Sequence, residues 1–223
     1  MLSLVLSILI FALTPLSALA APKIIYQHTG NNGKKRVALT FDDGPHPRYT
    51  PQILDILSEF GVEATFFVVG SNAEYYPDLV KRELAEGHEI GNHTYHHYHT
   101  VNVKADTLQK DIIACHKSLK KISGEDIHLF RPPEGVFNED IKNLCAKQGY
   151  TIVMWSVDTR DWAHTPIGDI CKNVMDNVKD GSIILMHDFI GKNSPTPAVL
   201  RRIIPMLQES GYEFVTVSRL LEG

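Results

Sequence analysis

The sequence predicts an α/β protein, built as a single shortened or irregular barrel of parallel strands with helices between them. The first observation behind this prediction is that short β-branched, apolar runs alternate with amphipathic helical stretches, as they do when helical crossovers join parallel strands. The second is length: the alternating part spans residues 36–218, whereas eight complete βα units usually take about 250 residues. The third is that no GxGxxG follows the first strand, which argues against a doubly wound, dinucleotide-binding sheet.

Seven strands are predicted from runs that are rich in β-branched and aromatic residues and have turn-forming residues on either side. In chain order they are RVALTF (36–41), EATFFVVG (63–70), HEIGN (88–92), HLFRPP (128–133), YTIVMWSV (150–157), SIILMH (182–187) and FVTVS (214–218). Helical periodicity fills most of the gaps between them, so parallel pairing is expected for the sheet.

The helices are predicted from capping residues and from residues that end helices. Thr50 as N-cap, Pro51 at the first helical position and Gly61 past the end delimit the first helix. The others run from about 77 to Gly87, from 104 to 122, from the Asn138 cap to Gly149, from Thr165-Pro166 to Gly181, and from Thr196-Pro197 to Gly211. Pro205 lies inside the last one and is expected to kink or split it.

Composition is that of one ordinary globular domain: 223 residues, 43% hydrophobic and 22% charged. The formal net charge of -4 gives no indication of a nucleic-acid partner, and no obligate protein partner is evident. Cys115, Cys145 and Cys171 are an odd number at wide spacing, which is not a disulfide framework. They are interpreted as small buried apolar side chains, with a bridge between one pair left open.

The first twenty residues carry no charged side chain and end in Ala18-Leu19-Ala20, a small-x-small cleavage signal. Residues 1–20 are therefore predicted to be a signal peptide, with the mature chain beginning at Ala21 and the protein secreted or held at the cell surface. An uncleaved membrane anchor is the alternative, because the segment lacks the usual Lys or Arg and approaches the length of one membrane crossing. Residues 21–35 are predicted to be a polar linker to the domain at 36–218.

The stretch HTYHHYHT (93–100) contains four of the eleven histidines. His93 and His97 are four residues apart, so on a helical turn their side chains would lie on one face and could share an ion. A solvated loop is the alternative for this pair taken alone. His96 and His99 point elsewhere in this interpretation. Together with His46, His88 and His164, they are expected to be loop or surface residues.

Polar clusters follow five of the predicted strands. They are Asp42-Asp43-Gly44-Pro45, the stretch from Asn92 to His97, the stretch from Arg131 to Gly135, the stretch from Asp158 to Trp162, and His187-Asp188. In a parallel α/β barrel the carboxyl ends of all strands meet on one face, and that face holds the active site. The five clusters are therefore expected to form one site.

Asp42 and Asp43 are neighbours, so in an extended chain their side chains point in opposite directions. One of the two can reach the His93–His97 pair as a third metal ligand while the other stays free nearby as a general base. Two histidines and one carboxylate leave open positions for water and substrate, as in catalytic zinc sites. With His187 as a proton donor, these residues predict metal-assisted hydrolysis of an acyl bond.

At this point the sequence resembles the polysaccharide deacetylases of the NodB-homology type, carbohydrate esterase family four, over residues 36–218. The motifs that carry the resemblance are Thr40-Phe41-Asp42-Asp43-Gly44-Pro45, His93-Thr94-x-x-His97, Arg131-x-Pro133-x-Gly135, Asp158-x-x-Asp161-Trp162 and Leu185-x-His187, in this order. The resemblance implies a distorted (β/α)7 barrel related to the TIM barrel, which agrees with the seven predicted strands.

The resemblance also implies roles for individual residues. The metal ligands would be Asp43, His93 and His97; the catalytic residues Asp42, His187, Asp161 and Arg131; and the substrate-binding residues Pro133, Glu134, Gly135, Trp162 and Leu185. Asp42 would be the base, oriented by Arg131, and His187 the acid, supported by Asp161. Trp162 and Leu185 would form walls of the acetyl pocket. The Glu134 N–H and the metal would stabilise the oxyanion.

The implied cofactor is one divalent ion, zinc by preference, with cobalt or a similar ion as a substitute. The implied function is removal of N-acetyl groups from amino sugars of a glycan, with bacterial peptidoglycan favoured and chitooligosaccharide as the alternative. Glu134 stands where the family motif often has an aromatic residue, which bears on the choice of glycan.

Two other classes of protein remain for comparison. A glycosidase needs two carboxyl groups about 5 Å or more apart across the bond, and adjacent Asp42 and Asp43 do not supply them. A non-catalytic glycan-binding protein on the same fold would be expected to lack Asp42 or His187, and both are present.

Overall fold

The structure, a computed structural model, describes residues 21–30, 33–99, 103–191 and 193–222, so the predicted signal peptide lies outside the described residues. In chain order the strands are β1 Ile24–Ile25, β2 Lys35–Asp42, β3 Thr65–Val68, β4 Glu89–Asn92, β5 Leu129–Phe130, β6 Thr151–Val153, β7 Val157–Asp158, β8 Ser182–His187 and β9 Tyr212–Phe214. The helices are α1 Tyr49–Phe60, α2 Gly70–Tyr75, α3 Pro77–Ala85, α4 Ala105–Ser123, α5 Glu139–Gln148, α6 Ile167–Asn177, α7 Thr196–Glu209 and α8 Val217–Leu221. Short 3₁₀ turns follow β5 and β7, at Pro133–Gly135 and Asp161–Ala163.

These strands form one sheet of parallel pairs, and the prediction of a distorted parallel α/β barrel is confirmed. The order across the sheet is β1-β6-β5-β4-β3-β2-β8-β7, and β9 pairs with the first half of β2. In the register of β2 against β8, Asp42 lies directly beside His187. The sheet itself thus brings the predicted base and the predicted acid together.

The barrel is irregular where β6, β7 and β1 meet. The sequence predicts one strand over 150–157, whereas the chain forms two short strands, β6 in second place and β7 in last place in the sheet order. The physical reason is Arg131, whose guanidinium takes the Val153 and Met154 carbonyls that a continuous strand would present to a neighbour. β1 covers this gap: it pairs with β6, and Gln27 just beyond it bridges to Ser182 of β8.

The alternation of β2 decides which side chains reach the active site. Val37, Leu39 and Phe41 belong to the core cluster shared with the helices, while Ala38 belongs to the inner cluster with residues of other strands. Asp42 therefore falls on the inner face, because successive side chains of a strand alternate between faces. Residues 36–42 are all buried, as expected of a central parallel strand.

Several predicted boundaries agree with the structure. Gly61 and Gly149 cap α1 and α5 at their C-termini in the left-handed conformation. The Asn138 side chain accepts a hydrogen bond from the Ile141 N–H at the start of α5. All three cysteines are buried, as predicted, and all three are free, which settles the bridge that the sequence left open.

Other boundaries differ. Thr50 is not the N-cap, because α1 begins one residue earlier and the Thr50 hydroxyl instead accepts from the His46 N–H and donates to Asp188. α7 continues through Pro205 as one helix. The sheet begins at Ile24, inside the predicted linker at 21–35, because β1 pairs with the edge of β6 that would otherwise have no neighbour.

Two helices were missed. α2 and α8 contain six and five residues, too few to display a helical period in the sequence. α8 closes the barrel at the N-terminal ends of the strands, where Val217 and Leu220 join the inner core and the Val217 N–H donates to Thr65. No helix among the described residues has the length and apolarity needed to cross a membrane.

Candidate active site

Asp43, His93 and His97 form a compact cluster at the carboxyl ends of β2 and β4. Asp43 Oδ1 lies 3.4 Å from His93 Nε2 and 3.1 Å from His97 Nε2. All three potential ligand atoms lie within 4.8 Å of one another, which suits a single metal ion. Asp43 Oδ1 is also buried and accepts no hydrogen bond from the described residues, so this carboxylate oxygen can bind a cation.

The electrostatics of the cluster keep the Asp43 carboxyl ionised. Burial acts to raise its pKa, but the contact with His93 and the charges of His93, His97 and His187 hold the pKa below its ordinary value. For His97 the balance is opposite, because burial and then the charge of His93 lower its pKa. His97 thus favours the neutral form that a metal requires of a histidine ligand. For His93, burial acts to lower the pKa, but Asp42 and Asp43 outweigh it and raise the pKa, so a metal would have to displace a proton there.

The backbone around Asp43 settles which of the two aspartates joins the histidines. Asp42 ends β2, but Asp43 leaves the extended conformation with φ at 72°. The Asn72 amide donates to the Asp43 carbonyl and holds this turn. The two carboxylates therefore diverge because of a left-handed residue, and not because of the strand alternation that the sequence suggested.

His93 and His97 are the predicted pair, but no helical turn joins them. They lie on the bent loop after β4, in which Thr94 and His97 have φ of 65° and 54°. The His97 N–H donates to the Thr94 hydroxyl. His93 Nδ1 donates to the Arg131 carbonyl at 2.8 Å, which fixes the tautomer and leaves Nε2 for the cluster.

α2, which the sequence did not reveal, supports this loop. The N–H groups of Gly70 and Ser71 at its start donate to the carbonyls of Thr94 and Tyr95. On the other side His96 Nδ1 contacts Asp111 Oδ1 of α4 at 2.6 Å. His96 is thus a residue of the loop, as predicted, and its contact with Asp111 helps to hold the loop.

Asp42 and Arg131 form a buried ion pair beside the cluster. Arg131 Nη1 donates to Asp42 Oδ1 at 2.7 Å, and the guanidinium also donates to Thr40. Burial lowers the pKa of Arg131, and the negative charge of Asp42 opposes that effect. The second Asp42 oxygen lies 3.8 Å from His93 Nε2, so it faces the cluster and not the arginine.

His187 and Asp161 form a second pair across the cavity. His187 Nδ1 lies 2.8 Å from Asp161 Oδ1, and the His187 backbone N–H donates to Asp161 Oδ2. Trp162 N–H and the Thr196 hydroxyl complete four hydrogen bonds to this fully buried carboxylate. Burial acts to lower the pKa of His187, but Asp161, followed by Asp42 and Asp43, raises it to about 9. His187 is therefore an imidazolium at neutral pH.

A cavity of about 450 Å³ joins these groups. It is lined by Asp42, Asp43, His93, His97, Glu134, Trp155, Asp158, Trp162, Leu185 and His187. Trp155 and Asp158 are lining residues to which the sequence interpretation gave no role. Asp158 could have been found from the sequence, because it belongs to the fourth motif. Trp155 could not, because the sequence predicts it to lie inside a strand, and the contacts of Arg131 interrupt that strand.

The loop Pro133–Gly135 contributes to the site unevenly. Glu134 lines the cavity, Pro133 is buried, and Gly135 supports the wall: a Cβ there would lie 2.7 Å from the Trp155 ring. Glu134 and Gly135 both have positive φ, at 58° and 69°. The hydrogen bonds within the loop use the N–H groups of Gly135 and Val136, so the predicted oxyanion donor, the Glu134 N–H, takes no part in them.

Glu134 also has a contact that the sequence did not indicate. Its Oε1 lies 2.5 Å from His99 Nδ1, on the loop that carries the histidine pair. Both side chains are substantially exposed. The contact joins the loops after β4 and β5 at one edge of the cavity.

Comparisons with known proteins agree with this geometry. The family model for polysaccharide deacetylase matches residues 29–153. A peptidoglycan-N-acetylglucosamine deacetylase of Bacillus cereus is 45% identical over 192 residues, which are 85% of this chain and 90% of that protein. A chitooligosaccharide deacetylase of Sinorhizobium fredii is 36% identical over 191 residues, which are 81% of this chain and 89% of that protein.

A solved structure extends the likeness to three dimensions. It is a peptidoglycan N-acetylglucosamine deacetylase in complex with 4-naphthalen-1-yl-N-oxidanyl-benzamide, with a TM-score of 0.82 and 41% identity. The superposition covers 87% of this chain and 92% of that one. Motifs, fold and relatives agree, and the chain belongs to the polysaccharide deacetylase family.

Proposed function

We propose that this protein is a metal-dependent hydrolase that removes N-acetyl groups from the amino sugars of a glycan. The observation that carries the proposal is the arrangement on one cavity of an Asp43–His93–His97 cluster, a carboxylate held by a buried arginine, and an imidazolium held by a buried carboxylate. Each is a separate requirement of amide hydrolysis: a cation site, a base and an acid.

Asp43, His93 and His97 would hold one divalent ion. Two imidazole nitrogens and one carboxylate oxygen are the ligand set of catalytic zinc sites, so zinc is the preferred ion and cobalt a substitute. When bound, the ion supplies Lewis acidity at the acyl carbonyl. The Glu134 N–H is proposed as a second donor to the oxygen on which negative charge develops.

Asp42 is proposed as the base. Its ion pair with Arg131 holds one oxygen, and its second oxygen faces the metal cluster, where it can accept a proton from the attacking water. The water oxygen then forms the new bond to the acetyl carbon.

His187 is proposed as the acid. It donates its Nε2 proton to the amide nitrogen as the bond between that nitrogen and the acetyl carbon breaks. Asp161 stabilises the imidazolium beforehand, which makes the proton available at neutral pH. The products are acetate and a free amino sugar. Trp162 and Leu185 are proposed as walls around the acetyl methyl group.

Peptidoglycan is proposed as the glycan, with chitooligosaccharide as the alternative. Relatives with both names match nearly the whole domain, and the peptidoglycan deacetylase of Bacillus cereus is the more similar of the two described above. A predicted export signal also suits a substrate that surrounds the cell. Secretion through residues 1–20 belongs to this proposal, and N-terminal sequencing of protein from cells would find Ala21 first; an intact Met1 in the membrane fraction would indicate an anchor.

Glu134 bears on the choice of glycan. It offers hydrogen bonds and negative charge where an aromatic ring would stack on a sugar, and His99 holds it at the edge of the cavity. A muramyl lactyl group should then face away from Glu134 or be uncharged, as in an amide or lactam. Glu134→Tyr is expected to change the ratio of activities on different glycans while metal content stays the same.

The test of the proposal is release of acetate. Peptidoglycan, its muramyl lactam form and chitin oligomers are incubated with the metal-loaded protein, and both acetate and chain length are measured. Acetate without chain shortening supports a deacetylase, and chain shortening supports a glycosidase. Binding without either product would support a non-catalytic protein, and acetate from chitin oligomers alone would overturn the peptidoglycan assignment.

A further inference from the structure

The cavity is rich in carboxylates, although the proposed metal site uses one of them. Among the described residues, Asp42, Asp43, Glu134 and Asp158 line it, and of these Asp43 belongs to the metal cluster. A carboxylate oxygen is a ready ligand for a divalent ion, so another of these side chains that turned onto the ion would take a position that the substrate needs. The open positions on the ion therefore depend on what holds the other three carboxylates.

Two of these three carboxylates are held by donors close to the strand ends that carry them. Asp42 is paired with the buried Arg131, as described above. Asp158 Oδ1 accepts hydrogen bonds from the Arg160 backbone N–H at 2.8 Å and from the Trp162 indole N–H at 3.4 Å. Both carboxylates thus stay where the ends of β2 and β7 place them.

Glu134 is held differently. Its hydrogen-bond partner within the described part of the chain is the side chain of His99, whose Nδ1 lies 2.5 Å from Glu134 Oε1. The side chains of Glu134 and His99 are 40% and 70% exposed, so their contact adds little to the stability of the fold. Its effect is on direction, because a glutamate side chain without a partner keeps its rotamer freedom.

The backbones on both sides of this contact are fixed without it. The His96 backbone N–H donates to Asp111 Oδ2 of α4, and the Tyr98 ring stacks on the His96 ring with centroids 4.9 Å apart, which orders the segment leading to His99. On the other loop, the backbone hydrogen bonds of the turn after β5 hold Glu134. Loss of the His99 ring should therefore free the Glu134 carboxylate without moving the turn that carries it.

We propose that His99 is a positioning residue that keeps the Glu134 carboxylate at the edge of the cavity and so leaves the open positions of the metal ion to water and substrate. This inference rests on the proposed function, because it assumes the metal ion at Asp43, His93 and His97. A freed Glu134 would add a second carboxylate to this ligand set. Four protein ligands make the closed arrangement of structural zinc sites, whereas a catalytic site keeps a position open.

The experiment measures two affinities that should change in opposite directions. Zinc affinity is measured by competition with a chromogenic chelator, and binding of acetohydroxamate, which needs the open positions of the ion, is measured by calorimetry on the zinc-loaded protein. His99→Ala is expected to bind zinc about tenfold more tightly and acetohydroxamate about tenfold more weakly, on the scale of other changes around metal sites. Damage to the fold would weaken both, so the opposite signs identify a freed carboxylate.

A second substitution tests whether Glu134 is the cause. In a Glu134→Gln background the carboxylate is replaced by an amide, a poorer zinc ligand, so adding His99→Ala is expected to change neither affinity by more than about twofold. His99→Gln keeps an N–H donor for Glu134 and should match wild type in both measurements. The control is His128→Ala, which removes an exposed histidine at the amino end of β5, opposite to the site, and should also match wild type.

The outcomes separate this role from the proposed function. Equal zinc and acetohydroxamate affinities in wild type and His99→Ala would overturn the role of His99, and so would a change that persists in the Glu134→Gln background. A wild-type protein that binds no zinc would overturn both proposals. If the affinities change as expected but no acetylated glycan yields acetate, the proposed function fails and the role of His99 stands.

Discussion

The two halves of the active site solve the problem of buried charge differently. On the proton-transfer side, Asp161 accepts four hydrogen bonds and Asp42 is paired with Arg131, so every charge has a partner from the chain itself. On the metal side, Asp43 Oδ1 is buried without a partner, and three residues of the two loops have positive φ. One half is complete as folded, whereas the other keeps a buried carboxylate oxygen that accepts no hydrogen bond from the described residues.

Removal of the metal ion is expected to have the largest effect on activity. Treatment with a chelator is expected to abolish acetate release, and addition of zinc or cobalt to restore it, because the metal half has no internal substitute for the ion. Metal content by mass spectrometry should be about one ion per active chain. Full activity of a metal-free sample would refute the assignment.

Breaking the proton-transfer half should leave the metal half intact. Asp42→Asn and His187→Ala are each expected to lower kcat by at least about a hundredfold, the usual scale for loss of a general base or acid. Since neither residue is in the proposed ligand set, both variants should bind the ion with the affinity of wild type, measured by competition with a chromogenic chelator. Loss of the ion from Asp42→Asn would mean that Asp42 is a ligand.

The variant Asp161→Asn tests the proton-transfer half through the dependence of activity on pH. Without a metal, burial acts to lower the pKa of His187, but Asp161, Asp42 and Asp43 raise it to about 9. A cation bound at Asp43 would oppose this effect, so activity that requires the imidazolium is expected to fall as the pH rises through a pKa below that value. The neutral amide in this variant lacks the charge that stabilises the imidazolium, so the fall is expected at still lower pH, with about tenfold lower kcat at pH 8. A pH–rate profile identical to that of wild type would exclude this role for Asp161.

His96→Ala should have the smallest effect and is the control for His97→Ala. His96 contacts Asp111 and not the cluster. Its removal is therefore expected to leave the ion bound and to change kcat for acetate release by no more than about twofold. His97→Ala should lose the ion. The reverse result, with the ion lost only from His96→Ala, would show that the two histidines had been assigned wrongly.

Side-chain chemistry and order along the chain were predictable from the sequence, because strand ends of a parallel barrel converge on one face. Conformation at single residues was not. Strand alternation left open which aspartate joins His93 and His97, and the family resemblance implied Asp43; in the structure Asp43, with its left-handed φ, is the aspartate of the cluster. The histidine pair was chosen for a helical spacing, yet the loop around Thr94 brings the rings together.

Tertiary contacts account for what was missed. Trp155 reads as the middle of a strand, and only the hydrogen bonds from Arg131 to Val153 and Met154 reveal why the strand stops there. Ile24–Ile25 is too short to be predicted as a strand from the sequence, and only its pairing with β6 identifies it as one. Contacts between distant segments of this kind leave no periodic trace in the sequence.

The position of β1 also bears on how the catalytic face would be oriented if the chain were anchored in a membrane. Three residues separate its start at Ile24 from the end of the predicted export segment, and it runs parallel to the strands whose carboxyl ends carry the site. If residues 1–20 remained in a bilayer, this tether would span only roughly 10 Å at full extension. The amino ends of the strands would then rest toward the lipid, and the cavity would open outward, away from the membrane that held it.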